Sequence, residues 1–265
     1  MPVNALEPIV AATREEVRRR KLQTTPAQLE RLAAQRLSAG DRRPFIDAIA
    51  GPGLAVIAEH KRRSPSAGLI RAGVALGDVI GAYERGGASA VSVLTEGPSF
   101  GGSLGDLRAA RAAAQLPILR KDFIVERYQV LESVAAGADA ILLIVAVLTP
   151  SELAGLQREA DAWALAALVE VHDRAELELA AASGARLIGI NNRDLTTLDV
   201  DRRRTLELLP HLPSNTPVVA ESGFRARAEL DELERAGVSA VLVGEALMRA
   251  ADVEAACREL TGTRV

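Results

Sequence analysis

The chain is poor in several things that would each mark a class of protein. One cysteine, Cys257, stands in 265 residues, so no internal disulfide can form and a reducing, cytoplasmic setting is expected. The three histidines, His60, His172 and His211, show no ligand spacing such as His-x-x-x-His, which argues against a metal site. Aromatic residues make up only 3%, so a core must be built from Ala, Leu, Val and Ile. Basic residues are not in excess: 32 Lys and Arg stand against 35 Asp and Glu, for a net charge of -3. That balance speaks against nucleic acid or an anionic membrane as the main partner. Long apolar runs are missing too. The longest, ADAILLIVAVL at 138–148, is shorter than the about 20 residues that cross a bilayer and lacks signal-peptide flanks.

What is present is a rhythm. Hydrophobic residues form 48% of the chain and charged ones 25%, enough for one sizeable core. After about residue 50, short β-rich runs alternate with amphipathic helical stretches. The strand candidates are LAVIAEH from Leu54, ASAVSVLTE from Ala88, PILRKDF from Pro117, ADAILLI from Ala138, ALVEVH from Ala167, RLIGINNRDL from Arg186, PVVAESG from Pro217 and SAVLVGE from Ser239. Each is nearly continuous in apolar character, as a strand covered on both faces should be. Between them lie helical patterns such as LGDVIGAYERGGA, TPSELAGLQREADAWA and RARAELDELERAGV. Related pieces (GGASAV, AGADAI, SGARLI, AGVSAV) recur before several strands, as in a chain built from one repeated unit.

Eight strand–helix units point to an α/β fold, a (β/α)8 TIM barrel, rather than an open doubly wound sheet. The Gly-x-Gly-x-x-Gly fingerprint of a dinucleotide fold is also absent after the first strand. The expected organisation is one domain over 1–265. In it, residues 1–50 form an N-terminal helical extension (REEVRRRK, TPAQLERLAAQRL) and residues 51–265 form the barrel.

In such a barrel the chemistry gathers at the C-terminal ends of the strands. Strand one ends Glu59-His60-Lys61, strand three at Lys121, strand five at Glu170, strand six Asn191-Asn192-Arg193, strand seven Glu221-Ser222-Gly223 and strand eight Gly244-Glu245. A single charge at a strand end is usually just leaving the core. Six converging on one mouth cannot all escape into solvent. Lys121 is the sharpest case. In PILRKDF a solvated turn accounts for Arg120 and Asp122, but Lys121 shares a face with the apolar Leu119 and so points inward. Either it holds the mouth together as an ion pair, or it delivers a proton. Two lysines and three glutamates in one water-poor cavity shift one another's pKa values, which is how acids and bases near neutrality are made.

An anion site is expected beside them. Gly223 follows strand seven, and Gly244-Glu245 opens a helix read as ALMRAADVEAA, the place where barrels of this kind hold phosphate. SPSAG at 64–68 adds hydroxyls, or is a plain turn. GPSFGGS at 97–103 lacks the Lys-Ser/Thr ending of a P-loop and reads as a mobile loop. Phe100 and Phe123 either floor a pocket for an aromatic ring or belong to the core. The residues alone indicate a metal-free barrel enzyme for a phosphorylated, partly apolar small molecule.

Taken together, AEHKRRSPSAG, SVLTE, PILRKDFIVERYQ, GADAILLI, LVEVH, IGINNRDL, VAESG and VLVGEALM resemble the indole-3-glycerol-phosphate synthase family, from about residue 5 to residue 250. The resemblance implies ring closure, decarboxylation and dehydration of 1-(2-carboxyphenylamino)-1-deoxyribulose 5-phosphate in tryptophan biosynthesis, by a carbon–carbon lyase needing no cofactor. It makes Lys121 resemble the general acid of ring closure. Lys61 resembles the lysine that pairs with Glu59 and the substrate carboxylate, and Glu170 the acid/base of a later step; Glu59, Lys61 and Glu170 share the candidacy for dehydration. Asn191, Arg193, Glu221 and Ser222 match substrate-contacting positions, the catalytic set taking in Asn191, Glu221 and Ser222. Ser64, Gly223, Gly244 and Glu245 match the phosphate and ribulose region, and Phe100, Phe123 and Leu142 the wall around the anthranilate ring.

The sequence departs from that family in three places. His60 replaces an aliphatic or aromatic residue and is expected to pack, Ala67 replaces a basic one, and Glu245 stands where a carboxylate would repel phosphate unless it turns away. The expected partner is the phosphorylated substrate, with no nucleic acid or membrane, for a monomer or weak homodimer. Two rivals remain. Phosphoribosylanthranilate isomerase uses a Cys/Asp pair, whereas the only cysteine here, Cys257, is far from strand one. A non-catalytic metabolite-binding homologue is expected to have lost at least one of Glu59, Lys61, Lys121 and Glu170.

Overall fold

The computed structural model describes residues 6–195 and 197–262. Among them eight parallel strands close into a barrel: β1 (Ala55–His60), β2 (Ala90–Leu94), β3 (Ile118–Lys121), β4 (Ala140–Ile144), β5 (Ala166–Val171), β6 (Ile188–Asn191), β7 (Val218–Glu221) and β8 (Ala240–Val243). Each strand pairs with the next in sequence, and β8 returns to β1 through Ala55 opposite Ala240. Helices connect consecutive strands: α4 (Leu76–Arg85), α5 (Leu104–Ala113), α6 (Arg127–Ala136), α7 (Pro150–Ala162), α8 (Arg174–Ala182), α9 (Arg203–Leu208) and α10 (Arg227–Arg235). Before β1 come α1 (Leu6–Gln23), α2 (Pro26–Ser38) and α3 (Phe45–Ile49).

Local chemistry sets the helix starts. Thr25 with Gln28 and Thr149 with Glu152 form capping boxes, each followed by proline in the first turn, where its missing N–H costs nothing. The helix read as ALMRAADVEAA is two. A five-residue α11 (Glu245–Arg249) stops where Ala250 turns extended, and α12 (Val253–Thr261) restarts. Asp252 explains the break: its side chain accepts the Ala255 N–H and caps a new helix instead of continuing the old one.

Strand alternation divides the core in two. Inward residues such as Ile57, Leu119, Leu142, Leu168 and Val219 fill the barrel, closed at its N-terminal end by Phe45 and Ile49. Outward residues such as Val56, Val91, Ile118, Ile141 and Ile190 pack under the helices. The same alternation sorts the charges of β3, and here the expectation of a solvated turn fails. Arg120 and Asp122 are both buried. Arg120 points outward under α6 and donates to Asp122 Oδ2 (2.8 Å), Thr95 Oγ1 (3.0 Å), Ser133 Oγ (3.1 Å) and the Gln129 carbonyl (3.0 Å). A buried guanidinium is tolerable because its donors are satisfied.

Two further charge clusters bind the leading helices to the barrel. On α1, Arg20 forks onto Glu132 of α6 at 2.7 and 3.0 Å, while Val17, Leu29, Tyr128 and Leu131 form a small apolar cluster between these helices. At the N-terminal end of the barrel the Asp139 carboxylate, fully enclosed, accepts four hydrogen bonds. They come from Arg36 of α2 (2.8 Å), Arg111 of α5 (2.7 Å) and the backbone N–H groups of Arg43 (3.1 Å) and Ile118 (3.0 Å).

Candidate active site

A cavity of about 460 Å³ opens at the C-terminal ends of the strands. Its wall contains every residue proposed from the sequence: Glu59, Lys61, Ser64, Phe100, Lys121, Phe123, Leu142, Glu170, Asn191, Arg193, Glu221, Ser222, Gly223, Gly244 and Glu245.

At its floor Lys121 Nζ lies 2.7 Å from Glu170 Oε2 and 3.0 Å from Glu221 Oε2. Burial alone would lower the ammonium's pKa, but the charges of Glu170, Glu221 and Glu59 outweigh it and hold Lys121 well above its ordinary value. Lys121 is therefore a protonated donor at rest. Its two carboxylate neighbours diverge. Burial pushes Glu170 up, but Lys121 and His172 pull it well below the usual carboxylate range. Glu221 is raised by burial, drawn down by Lys121, raised again by the charges of Glu170 and Glu59, and ends near 8. Its Oε1 is buried without a hydrogen-bond partner. Neighbouring carboxylates separated in this way are the raw material of acid–base chemistry.

Beside this trio Lys61 Nζ lies 2.7 Å from Glu59 Oε1, and the buried Tyr83 hydroxyl donates to the Glu59 carbonyl at 2.9 Å. Asn191 Nδ2 donates to Glu170 Oε1 at 3.1 Å, and Asn191 Oδ1 accepts the Arg193 N–H at 3.0 Å. Asn192, one residue on, faces away and ties the adjoining loops together. Its Nδ2 donates to the Ser222 carbonyl, and its Oδ1 accepts from the Thr205 N–H and hydroxyl. Ser222 itself is left-handed (φ 68°), as is Gly223 (φ 96°). A left-handed serine held by such a lock is the kind of local strain that functional sites retain.

Two glycines inside or next to strands make room for the carboxylates. A Cβ on Gly189 of β6 would overlap Glu221 Oε1 and press on Leu168; one on Gly244 would overlap Glu59 Oε1. Gly244 thus serves the Glu59 carboxylate as well as the expected anion region. Gly189→Ala should lower kcat by roughly 10²-fold, the cost of displacing a positioned group by about 1 Å. Circular dichroism and steady-state kinetics together check this; an unchanged kcat in a folded variant would show that Glu221 tolerates displacement.

The remaining expectations fall out as follows. Ser64 sits in a short hairpin pairing Arg63–Ser64 with Gly68–Leu69, and its hydroxyl accepts the Ala67 N–H at 3.1 Å. The Glu245 carboxylate is engaged by Arg249 Nε at 2.9 Å, one helical turn on. His60 is buried, outside the cavity wall, and burial with the nearby Arg62 charge lowers it to about 4, so it is neutral near pH 7. The GPSFGGS segment is not loose. Glu96 Oε2 accepts the N–H groups of Ser99 (2.7 Å) and Phe100 (2.9 Å), and Arg62 forks onto Asp106 and reaches the Gly101 carbonyl. These contacts fix Phe100 in the wall.

The sequence reading missed part of that wall and one titratable group. Leu6 and Ile9 of α1, with Leu195, Leu198 and Val200, make its apolar side; no local pattern marks them. His172 does have a signal, because it stands two residues beyond Glu170 on one strand face, and the structure puts the two in contact. Among the described residues no group of His, Cys, Asp and Glu is arranged to hold a metal ion, and no helix is long and apolar enough to cross a membrane.

Comparisons with known proteins bear on the fold and on the family. Two solved structures share the fold at low identity. 3-Hexulose-6-phosphate synthase from Salmonella typhimurium matches with TM-score 0.62 and 14% identity over 79% of this chain and 97% of that one. Thiamine phosphate pyrophosphorylase from Pyrococcus furiosus matches with TM-score 0.58 and 18% identity, over 79% and 94%. Sequence relatives are nearer. Indole-3-glycerol phosphate synthase 2 of Streptomyces coelicolor is 47% identical over 254 residues, 96% of this chain and 97% of that protein. The Dehalococcoides mccartyi indole-3-glycerol phosphate synthase is 46% identical over 261 residues, 96% and 99%. The family's sequence model matches residues 6–260, and the chain belongs to the indole-3-glycerol phosphate synthase family.

Proposed function

We propose that this cavity converts 1-(2-carboxyphenylamino)-1-deoxyribulose 5-phosphate to indole-3-glycerol phosphate, as a carbon–carbon lyase, with Lys121 as the acid of ring closure. One observation carries the assignment: Lys121 Nζ lies between the Glu170 and Glu221 carboxylates on the cavity floor, at 2.7 and 3.0 Å, an arrangement that favours its protonated form. The ring carbon bearing the carboxylate attacks the ketone carbon, and the ketone oxygen takes a proton from Lys121. Loss of carbon dioxide returns its bonding electrons to the ring and restores aromaticity, so no electron sink is needed. Dehydration then requires an acid at the departing hydroxyl and a base for the proton lost from the adjacent carbon. Lys61, Glu59 and Glu170 are our candidates for those tasks, supported by their presence in the cavity wall and by the Lys61–Glu59 pair.

The apolar side of the cavity, with Phe100, Phe123 and Leu142, suits the anthranilate ring. Arg193 and Lys61 suit its carboxylate. Ser64, Gly223, Gly244 and the backbone of Glu245 suit the phosphate end, the Glu245 side chain being occupied by Arg249. We read the chain as one domain in which the helices before β1 are an extension of the barrel, since the Arg20–Glu132 and Arg36–Asp139 pairs bind both together. We read the chain as acting as a monomer or weak homodimer. The lone cysteine is buried, its thiol pushed up to about 11 by burial, as suits a reducing cytoplasm.

The test is indole fluorescence on adding the carboxyphenylamino-deoxyribulose phosphate to purified, EDTA-treated protein. One carbon dioxide per indole is the expected result. Binding without product by a folded protein would overturn the assignment in favour of a metabolite-binding role.

A further inference from the structure

Behind Glu170, and outside the cavity wall, lies a charged group that the reaction scheme does not use. His172 Nδ1 is 3.0 Å from Glu176 Oε2 at the start of α8, and the same oxygen accepts the His172 backbone N–H at 2.8 Å. Glu176 thereby fixes both the ring and the chain that carries it. On the other side Nε2 lies 3.3 Å from Glu170 Oε1. The nitrogen is buried, and its contact is that of an ion pair without an aligned hydrogen bond.

A neutral imidazole has one N–H and one lone pair. Here each ring nitrogen faces a carboxylate oxygen, so a neutral ring would press its lone pair against an anion in a water-poor place. The ring therefore carries both protons. The balance of forces agrees: burial lowers His172, but the contacts with Glu170 and Glu176 and their charges outweigh it and raise it to about 10.

The location gives that charge a task. Glu170 is faced by Lys121 from β3, by His172 just past the end of its own strand, by Asn191 from β6 and, at longer range, by Glu221 from β7. His172 is faced by Glu170 and by Glu176 of α8. When Lys121 turns to a substrate oxygen, Glu170 loses its nearest cation while still buried. Asn191 supplies a hydrogen bond but no charge. We propose that His172 is a positioning residue: an imidazolium, clamped by Glu176, that keeps Glu170 ionised and aimed while Lys121 is engaged with the substrate. It acts only through Glu170, since its own atoms do not reach the cavity. The proposal rests on the roles given above to Lys121 and Glu170.

Two measurements test it, the first without substrate. In ¹⁵N-labelled protein the chain's three histidines are separable, and the His172 signals are identified by their loss in His172→Asn. Both His172 nitrogens should be protonated at neutral pH and titrate only at strongly alkaline pH. An ordinary titration near pH 6.5 would overturn the proposal. The second is the pH dependence of kcat for indole formation. His172→Asn keeps a donor but removes the charge, so the acidic limb should move up by about one to three pH units, with the loss of rate growing as pH falls. Glu176→Gln, which retains the ring, should shift the limb the same way by less. A loss of rate by one factor at every pH is what a merely structural histidine would give, and it would also overturn the proposal. If His172→Asn fails to fold, Glu176→Gln carries the kinetic test. If the parent protein makes no indole, the scheme for the cavity fails, and the nitrogen titration still decides the state of His172.

Discussion

Replacing Lys121 by methionine should reduce indole formation by about 10³-fold or more while leaving substrate binding measurable. The side chain keeps an unbranched apolar stem of similar bulk and loses the ammonium with its charge and N–H donors, and a positioned general acid is worth about 10²–10⁴ in rate. The pH dependence of stability provides a second reading. With Lys121 present Glu221 sits near 8 instead of an ordinary 4.5; without it, the carboxyl is buried beside Glu170 with no cation and rises further. A raised folded-state pKa means that folding takes up a proton. The resulting stability is complete below the unfolded value of 4.5 and fades as pH climbs through the folded value. Relative to the parent, Lys121→Met should therefore be best tolerated near pH 6 and increasingly unstable toward pH 9. Thermal melts across that range, beside stopped-flow indole fluorescence, check both parts. Turnover within tenfold of the parent would remove Lys121 from its role.

The second large effect lies at the other end of the barrel. Asp139→Ala should cost about 3–5 kcal/mol of stability, because it takes from Arg36 and Arg111 their fully buried carboxylate and leaves them only the more exposed Asp41. For a chain of this size that lowers Tm by roughly 6–20 °C. Activity of the folded fraction at room temperature should be unchanged, since strand N-termini in these barrels carry stability and strand C-termini carry chemistry. Differential scanning calorimetry with kinetics at 25 °C checks the separation. A Tm within 2 °C of the parent would mean that Asp41, which also binds Arg111 and Arg36, takes over as counterion.

The two experiments probe features of unequal legibility. The barrel could be read in advance because buried parallel strands are near-continuous apolar runs, and nothing in a single chain imitates eight of them. The polar cluster could be read because side chains alternate along a strand: Leu119 inside forces Lys121 inside. That rule also held for Arg120, but three adjacent charges suggest solvent, and only the packing of α6 shows that Arg120 and Asp122 are buried. The ion-pair reading of Lys121 is met by Glu170 and Glu221, and the same pairing keeps the side chain protonated, as the proposed donor role requires. Pairs distant in sequence left no trace in periodicity. Hence GPSFGGS looked loose before Glu96, Arg62 and Asp106 were seen around it, and nothing in the sequence marked Leu6 and Ile9 of α1 as part of the cavity wall. Gly189 drew no notice in LIGIN; the space it leaves is taken by Glu221 of β7.

The docking of α1 also bears on how the protein is made. The helix leaves the ribosome before any barrel strand, and Glu132, the residue that anchors Arg20, is synthesised more than a hundred positions later. Bringing such distant partners together is entropically slow. The opening part of the chain must therefore wait, exposed, until the middle of the barrel exists, and the apolar side of the cavity is among the last features to form. A nascent or refolding chain should gain its strands before it gains affinity for substrate, so the order of synthesis and the order of completion run in opposite directions.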